Sequence, residues 1–333
     1  MKAAVLTQFN TPLEIADVPV GEPGPGQVRI DVRASGVCYT DLHAWHGVLP
    51  ITPPIVLGHE PVGTIAKVGA GVTHLNVGDR VGVSWHQGGC GRCVYCERHQ
   101  EKYCAEPVSW MQLGGGHAQS MIAEASGCTA LPDGLAWETA APLFCAGYTV
   151  MSGYRNASPR PGERVAVVGI GGLGHIALQI AKAMGHEVIA VTGSADKAKE
   201  VAEFGADEVL VVRENAGREL MEIGGADVVL STTNSMKHAS EMVDGLLPEG
   251  RLVVMGVGQD AIQTSPASLL FKQLVVKGST QNNRSDLVEV LQLAAEGKVK
   301  PKLELYKLDE INGVFDRLSE GRVRYRAVVV HEE

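Results

Sequence analysis

The sequence predicts an α/β protein of two domains, one mostly antiparallel β and the other a doubly wound parallel sheet. Three observations predict it. From Met1 to about Leu131 the apolar residues fall in short runs of period-two character, broken by Pro and Gly. From Arg164 onward short continuous apolar runs alternate with helix-length amphipathic segments. Between the first such run and the first such helix stands the glycine string V-G-I-G-G-L-G-H.

The first segment contains K-A-A-V-L, Q-V-R-I-D-V-R-A, G-T-I-A-K-V and D-R-V-G-V, separated by punctuation such as G-E-P-G-P-G. Alternation of this kind puts one face of each strand in a core and the other in water. After its second run comes the chemically densest stretch, Cys38 to Glu60, with a thiol, a hydroxyl, three imidazoles and acids. Zinc takes cysteine sulfur and histidine nitrogen, and a catalytic zinc uses three protein ligands with a fourth position open. Cys38 and His59 supply two. Cys145, in the apolar run A-A-P-L-F-C-A-G-Y-T, is the best remaining donor for the third. Taken singly, Cys38 could be a small core residue and His59 a hydrogen-bonded core histidine.

Cys90, Cys93, Cys96 and Cys104 follow at spacings that let four sulfurs converge on one tetrahedral ion. Four thiolates leave no open position, so this is a structural site, contributing folding energy rather than Lewis-acid chemistry. An iron–sulfur cluster is the rival occupant. Cys128 is left over and reads as a small hydrophobe.

In the second half the runs are R-V-A-V-V, E-V-I-A-V, D-E-V-L-V-V, D-V-V-L-S, R-L-V-V-M and L-V-V-K. Six so spaced fit a parallel sheet with helices on both faces. In the glycine string, Gly169 permits a tight turn, Gly171 and Gly172 let the backbone approach a pyrophosphate, and Gly174 lets the helix pack close on the strand. At the end of the second strand an acid would select NAD. This sequence has Thr192 there, followed by Ser194 and Lys197, so NADP(H) is favoured and NAD(H) remains compatible. Asp196 argues the other way.

The C-x-T-D-x-H segment from Cys38 to His43, the following G-H-E, the cysteine lobe and the glycine string together resemble the zinc-dependent alcohol dehydrogenases of the medium-chain dehydrogenase/reductase superfamily, through nearly the whole chain. The resemblance implies a GroES-like catalytic domain over residues 1–146 and 285–333 and a Rossmann domain over 147–284. It implies two zincs per chain, one catalytic on Cys38, His59 and Cys145 with Glu60 behind the metal, and one structural on the cysteine lobe. Thr40 would bond the substrate oxygen and His43 relay its proton, a role suited to imidazole. Asp41 would fix the tautomer of a ligating histidine. Trp45 and Trp85 would narrow the substrate pocket. Thr149 would meet the nicotinamide and Arg326 the pyrophosphate, although a surface arginine is an ordinary alternative.

The activity implied is hydride transfer between a primary alcohol or aldehyde and NAD(P). Cinnamyl-alcohol-type specificity for aryl aldehydes is a second reading, and a non-catalytic NAD(P)-binding protein a third. Cys145 argues against a polyol-type relative, in which a carboxylate replaces the second cysteine. With 333 residues, 45% hydrophobic and 20% charged, the chain can bury a large core. A net charge of −9 without a basic block gives no footprint for nucleic acid or an anionic membrane. No stretch is long and apolar enough for a bilayer span, so a cytoplasmic location follows by default. Seven cysteines, four of them crowded together, fit metal ligation better than a disulfide framework. A homo-oligomer is expected from the resemblance.

Overall fold

The computed structural model describes residues 1–331, apart from the Lys197 side chain. The chain divides into two units, Met1–Cys145 with Pro301–Glu333, and Ala146–Lys300.

The first unit is built on the long strand Gln27–Val37. Val28, Ile30, Val32 and Ala34 point into the core, while Asp31 on the opposite face is exposed, as period-two patterning requires. Each large apolar side chain so buried stabilises the fold by about 1.5–3 kcal/mol. One edge of this strand pairs antiparallel with Pro61–Val68. The other is shared: Ser120–Glu124 takes its first half and Arg326–Val330 its second. Both edges are covered, so the end of the strand is buried on both faces and can place polar groups out of water.

The register fixes what meets there. Ser35 lies opposite Pro61, so Cys38, just past one strand, comes beside His59 and Glu60, just before the other. Val37 lies opposite Ala327, which brings Arg326 to the same place. Arg80–Val83 and Cys128–Ala130 extend the sheet on one side, and Leu303–Tyr306 extends it on the other through a parallel pairing. The expected antiparallel domain therefore contains one parallel pair.

The second unit is a six-stranded parallel sheet in the order Glu208–Val211, Glu187–Thr192, Arg164–Val168, Ala226–Ser231, Leu246–Val254, Val275–Gly278. These are the six apolar runs, in the doubly wound order. Val165, Val167, Val188 and Val229 are fully buried because helices cover both faces.

The return to the first unit, expected at residue 285, occurs instead at Pro301. Residues Arg284–Ala295 form a helix packed on the helix Ala146–Ala157. Leu287, Val290 and Leu291 are buried, the Ser152 hydroxyl donates to Asp286 at 2.7 Å, and Arg155 pairs with Glu289. An amphipathic segment stays with the unit that buries its apolar face. Among the described residues no helix is long and apolar enough to cross a membrane.

Candidate active site

Cys38 ends the extended segment and caps the helix Tyr39–Trp45. Asp41, in the first turn of that helix, accepts the Cys38 backbone N–H at 2.8 Å. The Cys38 sulfur is thus held by a strand end and a helix start that brace each other. His59 follows Gly58, whose φ of +101° turns the chain into the next strand. Cys145 closes the group after the 3₁₀ turn Ala141–Phe144, which is wholly buried and fixed by Phe144 packing over Gly82.

The donor atoms of Cys38, His59, Glu60 and Cys145 all lie within 4.8 Å of one another. The two sulfurs are 3.8 Å apart, and His59 Nε2 is 3.7 Å from Glu60 Oε1. His59 is buried, yet neither of its ring nitrogens has a hydrogen-bond partner. Two sulfurs and a lone imidazole nitrogen, buried and converging, fit a zinc ion. Cys38 hydrogen-bonds Cys145 and is held well below the ordinary thiol range; burial opposes this, while His59 and Arg326 assist. Cys145 is pushed up by the Cys38 contact and by burial. Burial alone would depress His59, but Asp41 and Cys38 raise it well above its usual value. Burial pushes Glu60 up to about 7 against the pull of Arg326.

Arg326 is buried, and its Nη2 donates to both Glu60 oxygens. Gly36 makes room for that carboxylate: a Cβ there would stand 1.9 Å from Glu60 Oε2. The sequence reading directed Arg326 to a cofactor phosphate and missed this partner.

Thr40 Oγ1 lies 3.7 Å from Cys38 Sγ, and half-buried His43 stacks edge-on with Tyr39. Trp85 packs against His59 with ring centroids 5.0 Å apart. Trp110, to which the sequence assigned no role, lies 6.1 Å from the same ring and meets Trp85 edge-on. Trp45 instead donates its indole N–H to Thr11 O and meets Phe315.

The second thiol cluster, Cys90, Cys93, Cys96 and Cys104, is likewise converged, with ligand atoms within 4.8 Å. Cys104 Sγ accepts from the N–H groups of Cys90 and Glu106, and the Arg92 N–H helps lower Cys90 to about 7. Burial pushes Cys96 up to about 12. Cys128 is buried in the core of the seven-stranded sheet.

In the second unit the glycine string joins Arg164–Val168 to the helix Gly174–Ala183. Gly169 has φ +89°, and a Cβ on Gly174 would stand 2.2 Å from Gly169 O, so the tight turn and the close helix approach both require glycine. A Cβ on Gly171 would meet no protein atom, which leaves its backbone open to a ligand. Thr192 is buried at the end of its strand, its hydroxyl accepting the Ser194 N–H. Thr149 is half-buried in the helix Ala146–Ala157.

Residues 24–133 match the alcohol dehydrogenase GroES-like domain and residues 172–296 the zinc-binding dehydrogenase domain. An alcohol dehydrogenase of Geobacillus stearothermophilus is 40% identical over 99% of both chains. The chain belongs to the zinc-type alcohol dehydrogenases of the medium-chain superfamily. Another alcohol dehydrogenase of this kind, from Rhizobium meliloti, is 41% identical over 99% of this chain and 98% of its own. The solved alcohol dehydrogenase of Aeropyrum pernix superposes with a TM-score of 0.90 at 33% identity, covering 99% of this chain and all of that one. Membership in this dehydrogenase family makes the chain an oxidoreductase, with the fold class read from its sequence.

Proposed function

We propose that the chain interconverts a primary alcohol and its aldehyde, with one zinc on Cys38, His59 and Cys145 and a second on Cys90, Cys93, Cys96 and Cys104. The observation that carries the reading is the convergence of two sulfurs and an unpartnered imidazole nitrogen in one buried pocket. When bound, zinc supplies a Lewis acid to the substrate oxygen and NADP(H) or NAD(H) the hydride chemistry. Thr40 Oγ1 hydrogen-bonds the alcohol oxygen and would accept its proton while releasing its own, and His43 would be the group that delivers a proton to solvent. Asp41 orients His59, and the indoles of Trp85 and Trp110 keep water from the ligand side. Trp85, packed against His59, favours small substrates over aryl aldehydes; Trp45, turned to Thr11 and Phe315, is not counted in that wall.

Gly169, Gly171, Gly172 and Gly174 receive the pyrophosphate, to which the family resemblance also assigns Arg326. Thr149 lies against the nicotinamide. Thr192 puts a neutral hydroxyl where an acid would repel a 2′-phosphate, and Ser194 with Lys197 favours NADP(H). The strand Val275–Gly278 is exposed along its length at the sheet edge, beside exposed Leu270 and Phe271, and suits pairing with a second copy. A reducing cytoplasm suits six thiols committed to two metal clusters.

Metal analysis with a spectrophotometric assay on short aliphatic and aryl aldehydes, using both cofactors, tests the reading. Two zincs per chain and turnover of small aldehydes are expected. One zinc without turnover would point to a nucleotide-binding protein, and preference for aryl aldehydes to the cinnamyl-alcohol type.

A further inference from the structure

Behind the ligand set lies a second buried imidazole that the proposed chemistry does not use. His117 follows three glycines and is fully buried. Its backbone is clamped on both sides, its N–H donating to Leu57 O and its carbonyl accepting from Ala4 N, each at 2.9 Å. Its ring lies on Gly58, where a Cβ would stand 2.7 Å from Nδ1. Absence of a side chain at Gly58 is what admits this ring beside His59.

From there the polar contacts form a line. His117 Nδ1 is 3.1 Å from Ser35 Oγ, and His117 Nε2 is 3.7 Å from Asp41 Oδ2. Asp41 Oδ1 is 3.5 Å from His59 Nδ1. Ser35, His117, Asp41 and His59 are all at most 1% exposed. Bulk water does not reach them, and Asp41 Oδ1, His59 Nδ1 and His117 Nε2 have no other hydrogen-bond partner, so the complementary group nearest each is its neighbour in this line.

Hydrogen placement then follows from donor and acceptor chemistry. Asp41 already accepts the Cys38 N–H through Oδ2 at 2.8 Å, and its two oxygens face the His59 and His117 ring nitrogens, so its carboxylate is the acceptor that all three share. Both imidazoles facing it must present an N–H. For His59 this is Nδ1–H, which directs Nε2, once a metal displaces its proton, to the side where the cysteines converge. For His117 it is Nε2–H, which leaves Nδ1 to accept the Ser35 hydroxyl proton. The opposite tautomer would set a lone pair against a carboxylate. Asp41 also holds the Cys38 N–H, so whatever steadies Asp41 steadies two ligands.

We propose that His117 is a positioning residue for the metal ligand His59: its tautomer fixed by Ser35, it holds Asp41, and through Asp41 the ring and lone pair of His59. This rests on the reading that His59 ligates zinc.

The first test uses the unaltered, zinc-loaded protein. Two-bond ¹⁵N couplings of the histidine rings should show His117 as the Nε2–H tautomer; the Nδ1–H form would overturn the proposal. The second follows zinc release to a coloured chelator, with the cysteine-lobe ion as internal reference. His117→Phe fills the space without a donor and should speed release from the Cys38 site by about 10–100-fold, leaving the lobe unchanged. His117→Gln restores an N–H and should fall within about threefold of the wild type. Release from His117→Phe at the wild-type rate, or from His117→Gln as fast as from His117→Phe, would refute the role. Should His117→Phe not fold, Ser35→Ala carries the comparison: release about 3–10-fold faster is expected, and unchanged release counts against the proposal. If Cys145→Ser leaves the metal content unaltered, the ligand reading itself fails and this inference falls with it; with that metal present, only the part played by His117 is at stake.

Discussion

The two thiol clusters are built in opposite ways. The Cys90–Cys104 lobe draws all its donors from fifteen consecutive residues, a short helix and a turn. The Cys38 cluster draws on residues 38, 59, 60 and 145, brought together by strand register and a buried 3₁₀ turn, with Arg326 behind. One is four like sulfurs; the other mixes sulfur, imidazole and carboxylate, and its cysteines, like Cys90 and Cys96 of the lobe, are pushed in opposite directions. A local cluster of saturating ligands ties a loop to itself. A non-local one brings unlike donors together from distant parts of the chain, which is what a reacting centre needs.

The sharpest way to break that contrast is a pair of substitutions. Cys145→Ser should lower kcat/KM about a thousandfold, or about 4 kcal/mol, with a small effect on urea unfolding. Cys104→Ser should do the reverse, its cost appearing in stability through loss of the lobe's metal. Steady-state kinetics and melts on both proteins decide it, and equal losses of activity and stability in the two would erase the distinction.

Arg326→Gln comes next. It leaves Glu60 buried without its countercharge, and unfolding free energy should fall by about 3 kcal/mol. A change below 0.5 kcal/mol in chemical denaturation, about the scale of surface substitutions, would mean that Glu60 is neutral or finds another donor.

A smaller effect concerns His331, at the far side of His117. Burial depresses it to about 4 from 6.5, and its Nε2 is buried without a partner. Because the folded value lies below the unfolded one, its contribution is complete above pH 6.5 and is lost as pH falls towards 4. Discounted for its partial exposure, this amounts to about 2 kcal/mol. His331→Asn should flatten the stability difference between pH 7 and pH 4.5 by that much; an unchanged slope would assign the acid sensitivity elsewhere.

The smallest effect expected is Thr192→Asp. A carboxylate there should shift the ratio of kcat/KM for NADPH and NADH about tenfold towards NADH, and an unmoved ratio would show that the loop after Thr192 does not read the ribose.

What could be read from the sequence follows the same divide. The cysteine lobe, the glycine turn and the six apolar runs are encoded by neighbours along the chain, so spacing and period were enough. Cys38, His59 and Cys145 were reached only by joining donor chemistry to a family resemblance, because no local pattern links residue 145 to residue 38. Trp110, His117 and the Arg326–Glu60 pair carried no signal at all, since their roles come from strand register and from what a glycine leaves empty. The boundary at Pro301 was misplaced by sixteen residues for a related reason: the helix Arg284–Ala295 looks alike whichever unit buries it, and only its packing on Ala146–Ala157 decides.

The position of Arg326–Val330 in the sheet has a consequence for biosynthesis. That strand lies between Gln27–Val37 and Leu303–Tyr306, so this pairing waits until residues 326–330 have been made, long after residues 27–37. By then the ribosome has long since released the cysteine lobe, whose ligands are complete at Cys104. The four lobe cysteines can therefore converge early, while the Glu60 carboxylate waits for Arg326 to be made. A chain cut between Cys145 and Arg326 would keep the donors of both clusters but lose the guanidinium that neutralises Glu60.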